Sequence, residues 1–368
     1  RRDPRAPRLW RAPARAMAPV TGLRIGEVTL ELPIQLSPLA SITTPAFRLL
    51  CEAQGCGLTW TEMVSVPGLV RRHPKIAALV RPSQPGRPFA VQLVGSRPEE
   101  METAAAMVAA AGAELIDLNM GCPVKKVAKT GGGVALMRQP DLAEELVRAA
   151  REGAARGAAL SSSQGAPSRQ VGITVKMRLG WDKDSQNAPE LAARLVASGA
   201  VAVTVHGRTR AQGFTGSVDL PGIRRVVEAV GRLVPVFGNG DVRDGPSYQR
   251  MRAETGCHGV MVGRAALGNP WVFAALAAAE RGEAAPRPPS PEERIAIMRR
   301  HLELALKEDP EPVVAREIRK HLIWYSRGLA RASEFRRLLQ TVSTIAQVSA
   351  AVDGLALRSP GEQGARPT

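Results

Sequence analysis

No stretch of this chain approaches the roughly 20 uninterrupted apolar residues that a membrane-spanning helix requires. The Ala-rich run 104–113 is too short and is flanked by glutamates, so no membrane partner is expected. Cysteine is scarce. The four present, at positions 51, 56, 122 and 257, form no CxxC pair and have no Cys/His spacing suited to zinc. Neither a disulfide framework nor a metal site is expected, and a reducing cytoplasm is the expected compartment. Acidic residues are also in deficit, with 34 Asp and Glu against 50 Lys and Arg, a formal charge of +16. Residues 1–16 hold six arginines and one aspartate, leaving +11 on the rest. Such an excess points to a polyanionic partner, although a GC-rich coding sequence would produce it too. With 368 residues, 44% of them hydrophobic, the chain can fill one large core and a small second one.

The segment 1–22 is rich in Arg, Pro and Ala, with Met17 inside it. Its prolines would break an amphipathic targeting helix, so a disordered basic leader is expected, or translation from Met17. Short apolar runs then alternate with helical stretches. Strands are expected at 32–36, 58–62, 89–93, 115–119, 173–177, 201–206, 234–238 and 259–262, with helices between them at 99–111, 140–151, 189–198 and 220–231. β-Branched runs separated by helices mean parallel strands buried on both faces. Eight such units predict an α/β fold, a (β/α)8 TIM barrel over residues 23–280, rather than an open doubly wound sheet. Residues 153–170 are small, polar and without period, and read as an inserted flexible loop. A linker at 281–291 precedes helical spacing at 291–307, 313–328 and 333–352, a C-terminal helical domain spanning 292–353. Residues 354–368 read as a disordered tail.

Barrel enzymes gather their functional groups at the C-terminal ends of the strands. Here those ends carry Ser37-Pro38, Glu62, Gln92, Asp117 with Asn119, Lys176 with Arg178, His206, the run 238–241 (GNGD) and Gly263-Arg264. The glycine turns after strands seven and eight, with Arg264, suit the phosphate of a cofactor. Gln92, Asn119, Lys176 and His206 offer donors and acceptors for a flat heterocycle, and a lysine cation would stabilise an anionic reduced flavin. An internal ion pair in the barrel mouth would use the same residues. Cys122 lies in a Gly-Cys-Pro turn just past strand four. Cys51, Cys56 and Cys257 read as inert buried thiols. A thiol is ordinarily protonated at neutral pH, so one held at this rim can serve as a general acid.

The motifs IDLNMGCPVKKVAKTGGGVALM (116–137), TVKMRLGWD (174–182), VHGRTRAQGFTG (205–216), VFGNGDV (236–242) and VMVGRAALGNPW (260–271) resemble tRNA-dihydrouridine synthases. The resemblance runs from about residue 28 to 350, and REIRKHLIWYSRGL (316–329) is similar to the helical domain of the bacterial B-type enzymes. It implies FMN, NADPH as electron donor, and reduction of a D-loop uridine in tRNA, with hydride passing from flavin N5 to C6 and a proton from Cys122 to C5. By the same resemblance Pro38, Gln92, Lys176, His206, Asn239, Asp241, Gly263 and Arg264 hold the flavin. Asn119 and Arg210 fall at the uracil site. Lys125, Lys126, Lys129, Arg208 and Arg210 are expected at the backbone of a flipped-out nucleotide. Arg316, Arg319, Lys320 and His321 crowd one stretch of the helical domain and suggest a phosphate-facing surface. The chain departs from the family pattern at 37–48, reading SPLASITTPAFR where most members read roughly APMAGVTDxPFR, and in its glycine-rich GGGVAL run. Two other readings stand beside this one: an FMN barrel oxidoreductase on a small molecule, such as a dihydroorotate dehydrogenase, and a non-catalytic RNA-binding relative. The oligomeric state is left open, a monomer being compatible.

Overall fold

A computed structural model describes residues 22–165 and 169–356. The expected leader, apart from Gly22, and the tail beyond residue 356 lie outside the described residues. The described chain divides into two compact units, one of residues 22–266 and 272–286, the other of residues 267–271 and 287–356.

The first unit begins with an antiparallel hairpin, β1 (Leu23–Ile25) and β2 (Val28–Leu30), turned at Gly26-Glu27. Eight parallel strands follow: β3 (Ile34–Leu36), β4 (Leu58–Ser65), β5 (Ala90–Val94), β6 (Leu115–Met120), β7 (Gly172–Arg178), β8 (Ala202–His206), β9 (Val236–Asn239) and β10 (Gly259–Val262). They close as a barrel in sequential order, with β10 pairing β3. All eight expected strands are present. Their Val, Ile and Leu side chains are buried against both the barrel interior and the surrounding helices, as parallel strands require. The hairpin was not anticipated. Its Ile25, Val28 and Leu30 cluster with Leu58, Ala90, Leu115 and Ala202, where four strands begin, and with Trp60, so it plugs the N-terminal end of the barrel. Chemistry is thereby confined to the opposite rim.

The expected loop at 153–170 is mostly helix. One helix runs Pro140–Ser163 without interruption, and residues 166–168 lie outside the described residues. Gly153 and Gly157 face the helix Pro98–Ala110 so closely that a Cβ would come 2.0 Å from the Glu102 carbonyl oxygen and 2.1 Å from that of Ala106. The glycines are there for close helix approach rather than flexibility. A small-residue composition conceals that distinction.

The second unit holds four helices, Pro291–Glu308, Glu311–Tyr325, Ala332–Thr341 and Ile345–Ala356. The first opens on a reciprocal cap, in which Ser290 accepts from Glu293 N and Glu293 accepts from Ser290 N. The break at 342–344, inside a segment expected to be one helix, has a similar cap. Gln347 N donates to Thr344 Oγ1, while Gln347 Oε1 accepts from Thr344 N. His321 is 2% exposed. Its ring lies 4.5 Å from that of His301, whose Nδ1 is 3.1 Å from the Tyr325 hydroxyl. His321 is therefore core, and the expectation that it faces phosphate is wrong. No described helix is long and apolar enough to cross a membrane.

Candidate active site at the C-terminal rim

Register sets the site. Gln92 pairs across from Asp117, Asn119 from Lys176, Arg178 from His206, and His206 from Asn239. The polar side chains of β5 to β9 thus sit at matching heights near their strand ends. A hydrogen-bonded chain runs through them. Thr174 Oγ1 donates to Asp117 Oδ1 and Gln92 Nε2 to Asp117 Oδ2, both at 2.7 Å, and Asn119 Nδ2 donates to Gln92 Oε1 at 2.8 Å. Asn119 Oδ1 then accepts from the backbone N–H of Gly121 and of Cys122, at 3.1 and 2.9 Å. The cysteine turn is therefore anchored to a buried carboxylate through two intervening side chains, Asn119 and Gln92.

Burial raises the pKa of Asp117 to about 6, against the pull of the Gln92 and Thr174 bonds and the Lys176 charge. Burial lowers Lys176 to about 8, opposed by Asp117. Lys176 Nζ donates to Asn239 Oδ1 at 2.9 Å, and Asn239 Nδ2 donates to the Met261 carbonyl at 2.8 Å, which fixes the amide orientation. His206 is held neutral, first by burial and then by the cations of Lys176, Arg178, Arg208 and Arg264. Arg208 Nη1 lies 3.5 Å from His206 Nε2. A guanidinium only donates, so Nε2 is the acceptor and the ring proton belongs on Nδ1.

Two buried arginines organise the loops above. Arg178 donates from Nε to the Gly121 carbonyl at 2.9 Å and from Nη1 to those of Thr209 and Gly213 at 2.9 and 3.0 Å. Arg208 donates from Nη2 to Asp241 Oδ2 at 2.6 Å and to the Gly216 carbonyl, and from Nε to the Thr215 carbonyl. Asp241, at φ +55°, also accepts from Val218 N and Arg264 Nη2. Burial acts to raise its pKa, yet the bond and charge of Arg208 hold it below the ordinary carboxylate value.

Cys122 is a free, half-buried thiol. Its carbonyl accepts from Val134 N at 3.1 Å. Gly133, at φ +61°, passes so close that a Cβ would lie 2.8 Å from that same oxygen. The GGGVAL departure is thus a close-packed support for the cysteine turn, formed by the short helix Gly133–Arg138. The segment 37–48, which departs from the family pattern, has defined local geometry. Ser41 takes φ +58° with its N–H bonded to the Glu62 carboxylate, and Thr44 caps the helix Pro45–Glu52 by accepting from Phe47 N.

The other expected positions divide. Pro38 is half-buried and follows Ser37, whose N–H reaches the Val262 carbonyl at 2.7 Å. Gly263 has only Ser37 Cβ near the place its own Cβ would occupy, at 3.7 Å, so its backbone is open to approach. Arg264 is exposed and lies over the Phe214 ring. Lys125, Lys126 and Lys129 are exposed. Arg210 packs over Trp181, as does Arg138. Asn119 and Arg208 are the most tied down of the expected substrate positions. They are 8% and 1% exposed, with the bonds just described. Arg319 bonds the carbonyls of Arg316 and Val342, and Lys320 pairs with Glu317 at 2.6 Å. Phe214 was missed. It is 57% exposed within 6.1 Å of the His206 ring and in contact with Arg178 and Arg264. An aromatic inside the 205–216 motif was the available signal. Among the described residues no three His, Cys, Asp or Glu converge as a metal site.

The family model of dihydrouridine synthase (Dus) matches residues 35–359. A probable tRNA-dihydrouridine synthase of Mycobacterium tuberculosis is 39% identical over 350 residues, covering 93% of this chain and 86% of its own sequence. One from Rhodobacter capsulatus is 39% identical over 332 residues, covering 89% and 97%. The tRNA-dihydrouridine synthase B of Pasteurella multocida is 32% identical, covering 90% and 95%. Among solved structures, dihydroorotate dehydrogenase (DHODH) of Eimeria tenella in complex with ferulenol superposes with a TM-score of 0.50 at 13% identity. That match covers 69% of this chain and 82% of the other, and the likeness is one of fold.

Proposed function

This chain belongs to the dihydrouridine synthase family, and on that premise we propose that it is an FMN- and NADPH-dependent oxidoreductase that reduces the C5–C6 double bond of a uridine in tRNA. The observation that carries the reading is the placement of Cys122, a thiol at the barrel rim whose turn is fixed by Asn119 below and Arg178 beside it. Family membership favours this reading over a small-molecule reductase or a non-catalytic relative.

The donor set supports a flavin. Lys176 brings a cation to the barrel mouth, oriented by Asn239. Neutral His206 keeps one ring N–H for donation. Gly263 leaves backbone open, and Arg264 supplies charge beside it, as the phosphate end of the cofactor requires. Pro38 and Gln92 line the same rim, and Asp241 holds Arg208 and Arg264 in place. Bound there, a reduced flavin supplies the hydride. Cys122 supplies the proton to C5 as negative charge develops over C5 and O4. Lys125, Lys126 and Arg210 hold the nucleotide's phosphates and orient the base. Asn119, at the edge of the uracil site, also orients Cys122 through two backbone N–H groups.

The test is direct: purified protein, unmodified tRNA and NADPH, with dihydrouridine read by mass spectrometry. Its formation is expected. Yellow protein that oxidises NADPH without modifying tRNA would support the small-molecule reading.

A further inference from the structure

Residues 63–98 contain no aspartate or glutamate, yet they hold Arg71, Arg72, Lys75, Arg81, Arg87 and Arg97. Three of these cations, with His73 between them, fall within 71–75, the turn 71–73 between the short helices Val66–Val70 and Pro74–Ala77 together with the first residues of the second helix. All five residues 71–75 are exposed. Many of the protein's surface arginines pair with a carboxylate, among them Arg148, Arg194, Arg250 and Arg299. Among the described residues Arg71, Arg72 and Lys75 have no such partner, so their field is not cancelled locally.

The turn is also built rigidly. Arg71 N, Arg72 N and His73 N donate to the carbonyls of Pro67, Leu69 and Gly68, closing the helix end. Gly68 is packed against Ile76, so the second helix folds back on the first. Arg72 takes φ +53°. That conformation costs an L-residue about 1 kcal/mol and would be free for glycine, yet an arginine occupies it.

The helix that leads into this turn starts at the active rim. β4 leads directly into that helix, and Val66 packs against Gly95 at the end of β5. Ser96 Oγ donates to the Thr130 carbonyl, joining this edge to the segment that carries Lys125, Lys126 and Lys129. No large apolar side chain is exposed in 63–98, which disfavours a lipid surface. Unpaired cations on a fixed turn suit the regularly spaced phosphates of a nucleic-acid backbone.

We infer that Arg71, Arg72 and Lys75 form a phosphate-binding surface that engages the tRNA backbone outside the nucleotide being reduced. The inference rests on the proposed tRNA substrate and extends its footprint along the rim from β6 to β4.

The test uses the full flavin-loaded chain and an unmodified tRNA transcript, with Kd measured across a salt series. For Arg71→Ala/Arg72→Gly/Lys75→Ala, Kd at ~0.1 M salt should rise at least about tenfold, and the log–log salt slope should flatten by about 2. Reduction of the flavin by NADPH should be unchanged. Arg72→Gly alone guards against misfolding, because it should stabilise the turn while still flattening the slope by about 0.7–0.9. Variants that match the wild type in Kd and slope, where the wild type binds tRNA tightly, would overturn this inference alone. A wild-type protein that neither binds nor reduces tRNA would overturn the proposed function with it.

Discussion

Arg178 Nε donates to the Gly121 carbonyl at 2.9 Å, so the end of β7 holds the residue that precedes Cys122. The same guanidinium satisfies the carbonyls of Thr209 and Gly213. Lysine cannot reproduce that fork. Arg178→Lys should leave buried carbonyls unpaired and cost about 2–3 kcal/mol in urea unfolding. Loosening the cysteine turn should lower tRNA reduction roughly 100-fold while NADPH still reduces the flavin. A variant with wild-type turnover would remove Arg178 from the support of Cys122.

Ser41 occupies a left-handed backbone position at φ +58°. The conformation costs about 1–2 kcal/mol for a residue with a Cβ. Glycine gives back about 0.4–1 kcal/mol through the unfolded chain. Ser41→Gly should therefore stabilise the protein by about 0.5–1 kcal/mol, read as a shifted denaturation midpoint at constant m. A loss of stability would mean that the Ser41 side chain contributes more than the strain it brings.

Gly157→Ala puts two effects in opposition. Alanine is favoured over glycine in a helix by about 1 kcal/mol. The new Cβ, however, would lie 2.1 Å from the Ala106 carbonyl oxygen, and overpacking typically costs about 1–3 kcal/mol. Net destabilisation is expected in urea unfolding. Stabilisation would restore the flexible-segment reading of 153–163.

These positions mark what was legible in the sequence. The eight barrel strands were, because strands buried on both faces read as apolar runs. The catalytic rim followed, since polar residues ended nearly every run. The bonds that Asn119 and Arg208 make to neighbouring loops were not legible. Residue type and strand position do not specify a partner, and only the structure shows Cys122 N and Asp241 in that place. The Gly153/Gly157 helix contact was hidden for a similar reason, since small residues serve both close packing and loops. The 23–30 hairpin and the Thr344/Gln347 cap had readable signals, a two-residue turn between alternating triplets and a T-x-x-Q pattern.

His301 and His321 give the helical unit an acid sensitivity. Burial lowers the pKa of both, His301 to about 3. In the unfolded chain histidine titrates near ~6.5. Below that pH the unfolded state takes up protons that the folded state refuses, so stability falls as pH falls, by about 1.4 kcal/mol per pH unit for each histidine. His321→Phe should flatten the profile by about that amount per unit between roughly pH 6 and 4, measured by urea unfolding beside the wild type. Parallel profiles would mean that the pair does not stay neutral when buried.

The central claim is that Cys122 gives the proton at C5 in a reaction whose hydride comes from a flavin. Single-turnover measurement of Cys122→Ala tests it by following flavin reduction by NADPH and dihydrouridine formation on tRNA separately. Flavin reduction should proceed at the wild-type rate while dihydrouridine formation falls at least about 100-fold, the scale of a lost general acid. Undiminished dihydrouridine formation, or equal loss of both steps, would contradict it.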